Sequence, residues 1–151
     1  MAAIKEIIYG MIGGIIGGLA MVGVDLTMGM DDLYIDWLPR VIGMTPSADN
    51  LIIGLAMHLG IAVIYGAFFA ILFDLLGRED TIVNGLAWGI IYGVVLVILA
   101  AIGFMFIIPA VISGFPTIID LANPNLMMIA GMAAVHILYG AITGLIYVIF
   151  R

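Results

Sequence analysis

The sequence predicts an all-α, polytopic membrane protein: four transmembrane helices from a tandem two-helix repeat, with both termini cytoplasmic. Three observations lead there. Of 151 residues, 66% are hydrophobic and 9% charged, with a mean hydropathy of +1.35. A water-soluble domain carries roughly 25% charged residues, so lipid has to stand in for water around most of this chain. Four apolar stretches are each long enough to cross ~30 Å of hydrocarbon at ~1.5 Å per residue. The second pair of stretches also repeats the residue pattern of the first.

The first stretch runs from about Ile7 to Thr27 and is interrupted late by Asp25. Lys5 ahead of an apolar run has the look of a signal peptide. The run is long for one, and it has a counterpart later in the chain, so it is expected to remain as a membrane helix. The second stretch spans Leu51 to Phe73, the third Ile82 to Ile107 and the fourth Leu126 to Phe150. Lipid cannot satisfy open backbone groups, and none of these stretches alternates in polarity as a barrel strand would, so helices are predicted throughout. Spans and connections use up the whole length, which makes residues 1–151 one transmembrane domain.

Lysine and arginine in the flanks set the orientation. With the N-terminus inside, Lys5, Arg78 and Arg151 lie in the cytoplasm and only Arg40 lies outside. The cell membrane is the expected location. Its outer side then receives the two long loops, about Met28 to Asn50 and Pro109 to Asn125, holding Asp31, Asp32, Asp36, Asp49 and Asp120. The first loop mixes these acids with Tyr34 and Trp37, which suits a segment at headgroup level anchored by its aromatics. The second loop is uncharged from Phe106 to Ile119, and Gly114-Phe115-Pro116 should break any helix there. An interfacial segment is favoured over a re-entrant one.

Shifting the chain by 75 residues lays Gly10, Gly14 and Gly18 on Gly85, Gly89 and Gly93. With the shift drifting between about 70 and 75, Leu38-Pro39-Arg40-Val41-Ile42 parallels Ile108-Pro109-Ala110-Val111-Ile112, Asn50-Leu51 meets Asn125-Leu126, and Tyr65-Gly66-Ala67 meets Tyr139-Gly140-Ala141. The repeats cover about 7–75 and about 82–150. A two-span unit returns to its starting side, so the copies should share one orientation about an axis near the membrane normal. The two glycine stripes let helix backbones approach closely. Packing of the first span on the third within one molecule is the plain reading; contact with another chain is the sharper one.

A net charge of −6 argues against nucleic acid, and the absence of cysteine excludes disulfides and thiolate chemistry. No nucleophile elbow, phosphate-binding loop, zinc-protease helix or carboxylate pair is present, so no enzyme is expected. Ionisable residues within the spans are few: Asp25, His58 and His136, all in the outer half. With Met57 and Met132 they form a candidate proton, ion or metal site. Further methionines on that side (Met28, Met30, Met44, Met105, Met127, Met128) give copper, as Cu(I), as the possible cofactor. The plainer reading is structural hydrogen bonding by the histidines and apolar filling by the methionines. Scarce polar groups and abundant packing motifs point to a non-enzymatic accessory subunit, its partners being the lipid bilayer and either other transmembrane subunits or copies of itself. A small homo-oligomeric transporter or channel is the second reading, and a copper-handling protein the third.

Overall fold

A computed structural model describes residues 3–112, 115 and 125–151. Every regular element among them is helical. Four helices are long and apolar enough to cross a membrane. The first span is Ile4–Thr27, the second Leu51–Leu75, the third Ile82–Ile102 and the fourth Leu126–Phe150. Expected boundaries fall within three residues of these limits, except at the end of the third stretch, expected at Ile107, where the α-helix stops at Ile102.

Polar residues at the ends do the capping that the sequence allows. Thr81 accepts from the Asn84 amide at 3.2 Å and Asn125 from that of Met128 at 3.1 Å, satisfying donors that a first helical turn leaves open. The first span stops at Gly29, whose φ of +71° suits glycine best, and the Met30 amide closes back on the Asp25 carbonyl at 2.9 Å.

Two short segments break the α-helical pattern in the same way. Leu33–Trp37 is a π turn that runs into the short helix Leu38–Val41. Gly103–Ile107 is another, running into Ile108–Val111. Each precedes a proline, Pro39 or Pro109, that has no N–H and whose ring clashes with the carbonyl four residues back. Widening the turn there relieves the clash. The third span is thereby extended to Val111, and the expected break at Gly114-Phe115-Pro116 lies mostly outside the described residues. The rest of that loop, with Asp120, lies outside them as well.

The spans pack in the order second, first, fourth, third. Gly10 and Gly14 of the first span meet the backbone of Gly66 and Ala62, and Gly18 meets the Ala62 side chain. On its adjacent stripe, Gly13 and Gly17 face Thr143 and Tyr139 of the fourth span. In the other hairpin, Gly85, Gly89 and Gly93 face Gly144, Gly140 and His136. The plain expectation is corrected here. The first span does not pack on the third; both glycine stripes are used up within the chain, against the second and fourth spans.

The end that holds both termini is closed by side chains. Phe69, Phe73 and Tyr147 are buried ring on ring, and Tyr92 meets Phe69 edge-on at 5.4 Å. At that same end Arg151 reaches Asp80 at 3.1 Å, Asp74 at 3.3 Å and Glu6 at 3.4 Å, tying three stretches of chain together. Burial opposes the Arg151 charge, but Tyr147 and these three carboxylates outweigh it and hold the guanidinium pKa above its ordinary value.

Candidate functional site

Of the sequence-derived candidates, Asp25 takes up the most constrained position. It sits one turn from the end of the first span and is 1% exposed. An ionisable group buried to that degree requires partners. One is Tyr34, whose hydroxyl donates to Asp25 Oδ2 at 2.7 Å. The other carboxylate oxygen, Oδ1, has no hydrogen-bond partner. His58 and His136 lie close enough to act on Asp25 electrostatically. Three spans thus contribute to one cluster.

Tyr34 is the residue that sequence reasoning misplaced. Expected at headgroup level as an anchor, it is fully buried at 0% exposure. Burial, followed by the Asp25 contact, pushes its phenol above the usual tyrosine range, so it stays a proton donor. The π turn that carries it lies against the second span, where Gly54 leaves room for the Tyr34 backbone. Asn50, almost entirely buried, holds the same loop in place by donating to the carbonyls of Thr45 at 2.8 Å and Ile35 at 3.1 Å. The expected match of Asn50 to Asn125 gives no sign of this role. Trp37, partly buried, packs at 6.3 Å against Phe104 of the third span's π turn rather than standing alone as an anchor.

The two histidines differ. The ring of His58 stands edge-on to Tyr34 at 5.5 Å, and its buried Nε2 has no hydrogen-bond partner. His136 Nδ1 lies 2.7 Å from the Met132 carbonyl on its own helix. A carbonyl only accepts, so Nδ1 carries the proton and, in the neutral ring, Nε2 offers a lone pair. Met132 therefore enters the site through its backbone, and the partner of His136 is not the neighbouring helix. Among the described residues, no three His, Asp or Glu side chains converge as a metal-holding group.

Next to this cluster the second and third spans stand apart, leaving a cleft of about 310 Å³. His58, Met57 and Ile61 form one wall; Leu96, Leu99, Ala100 and Phe104 form the other. Tyr65, Tyr139 and His136 also line it, and Leu33, Leu38 and Val41 border it from the loop. Tyr139 donates its hydroxyl to the Ala62 carbonyl at 2.6 Å, and Tyr92 donates to that of Tyr65 at 2.7 Å, so both phenols are already engaged. Ile61, Leu99 and Val41 are exposed on its margins. In a membrane that margin faces lipid.

Fold and site together define a class: a four-span, all-helical membrane protein with a buried carboxylate–phenol–imidazole cluster beside a lateral apolar cleft. No protein-family profile, curated protein or solved structure matches this chain.

Proposed function

We propose that this chain is a non-enzymatic accessory protein of the cell membrane whose working part is the lateral cleft, where it holds a hydrophobic molecule drawn from the bilayer. The cleft carries this reading: its volume of about 310 Å³ and its mostly apolar lining with a few polar groups are what small-molecule sites have. Glycine faces free to recruit partners would favour a purely structural role, but those faces are spent inside the molecule.

The proposal includes duplication and orientation. In support of duplication, Gly10, Gly14 and Gly18 use Ala70, Gly66 and Ala62 as Gly85, Gly89 and Gly93 use Gly144, Gly140 and His136. Those partners stand 74 residues apart (Ala70 to Gly144), close to the 75 that separate the glycines. The two proline-linked π turns correspond too. Duplication accounts for the cleft. The second stripe of the first span, Gly13 and Gly17, becomes Trp88 and Tyr92 in the third. Glycines let the first span close on the fourth, whereas Tyr92 stands between the third span and the second, against Phe69 and the Tyr65 carbonyl. Three of the four basic residues lie at the end with the termini, which favours a cytoplasmic position for that end.

Native mass spectrometry from mild detergent tests the reading. The intact chain is expected to carry a small apolar molecule, and Ala100→Trp, which fills the cleft wall, to lose it while remaining monodisperse. An empty wild-type chain that also takes up nothing from a total membrane-lipid extract would sink the proposal. A second reading, packing against another transmembrane subunit, is favoured by one observation: only 6% of the most apolar window of the third span's helix is buried. Retention of a foreign transmembrane chain, released by Val95→Trp on that exposed face, would move the assignment there.

A further inference from the structure

Resting on the cleft reading above, we infer that the bound molecule has a flat, neutral, hydroxyl-bearing ring head on a long apolar tail, the chemistry of an isoprenoid quinol, with the hydroxyl donated to His136 Nε2. No lysine or arginine lines the cleft, so nothing there would compensate an anionic phosphate or carboxylate head. A cationic head would find its only full counter-charge on Asp25, which is behind the wall and already engaged by Tyr34. A neutral head remains.

The hydrogen-bonding sense follows from His136. Its Nδ1 proton is committed to the Met132 carbonyl, so the free nitrogen of the neutral ring accepts. A ligand with a carbonyl alone offers this nitrogen nothing; a hydroxyl does. His58 adds a second imidazole to the lining of the cleft. The lining favours a ring over a flexible alcohol, because five ring-bearing residues, His58, Tyr65, Phe104, His136 and Tyr139, line one space. The cleft admits a head and the start of a tail; the rest of the tail leaves past Ile61 and Leu99 into lipid.

Binding of decylubiquinol and decylubiquinone to the purified chain in nanodiscs, followed by quenching of tryptophan fluorescence (Trp37 lies at the loop end beside Phe104), separates the possibilities. The reduced form is expected to bind tighter by about three- to tenfold, the size of one net hydrogen bond. His136→Phe should erase that preference while retaining weak binding of both forms, and Ala100→Trp should abolish binding of both. Equal or tighter binding of the oxidised form, a preference that survives His136→Phe, or equal competition by a long-chain alcohol would overturn the head assignment but leave the cleft intact. If Ala100→Trp changes the affinity for neither form, the cleft reading itself fails.

Discussion

At the scale of single residues, the Asp25–Tyr34 pair is where stability is most exposed to a small change. Removing one partner of a buried hydrogen bond strands the other, which costs about 1–3 kcal/mol; removing both in favour of apolar groups is close to neutral. Tyr34→Phe, which leaves Asp25 without its donor, is therefore expected to lower the thermal midpoint in detergent. Asp25→Leu combined with Tyr34→Phe should recover most of the loss, and a double variant as weak as the sum of the singles would show that the pair is not coupled. The raised Tyr34 pKa has a definite sign in pH. A group protonated in the fold contributes fully below its unfolded value, about 10 for tyrosine, and loses that contribution only as alkali rises through the folded value. Tyr34 should add no pH dependence to stability between about pH 5 and 9, as urea or thermal titration across that window would show. Asp25 stood out in the sequence because an acid inside an apolar run is costly. Tyr34 did not, since an aromatic near a membrane boundary fits an anchor equally well, and only the fold of the intervening loop brings the two together.

Among the elements, the glycine stripes separate packing from mere composition. A side chain at Gly89 would fall on the Gly140 carbonyl, with no flexible end to move aside, whereas one at Gly23 would meet nothing within 4 Å. Gly89→Leu is expected to part the third and fourth spans and to cost at least about 1–3 kcal/mol. Gly23→Ala should be neutral or stabilise by about 0.5–1 kcal/mol through reduced backbone freedom. Thermal melts of the two variants side by side check this contrast, and equal melting points would mean that the close approach does not matter. The stripes were legible as helix-packing faces from their four-residue spacing. Their partners were not, because spacing states which face is flat but not which neighbour meets it. For the same reason spacing alone pairs the first span with the third, whereas it lies between the second and the fourth.

For the whole molecule, the consequences are its orientation and the unequal closure of the two seams where the hairpins meet, the first span on the fourth and the second on the third. The chain has no cysteine, so single replacements report topology cleanly. Asp49→Cys should react with a membrane-impermeant maleimide added to intact cells, and Glu79→Cys should react only after the membrane is opened. The reverse pattern would place the termini outside. Composition, run length and the near-absence of charge within the runs determined by themselves that this is a four-span helical membrane protein, because burying bare backbone in lipid leaves few alternatives. The periodic glycines and prolines also motivate the proposed repeat. What the tertiary structure alone decided is how the hairpins meet and where they do not. Gly13 and Gly17 let the first span close on the fourth, whereas the Tyr92 ring stands between the third span and the second, and volumes that compete in three dimensions are not written in the order of residues along the chain.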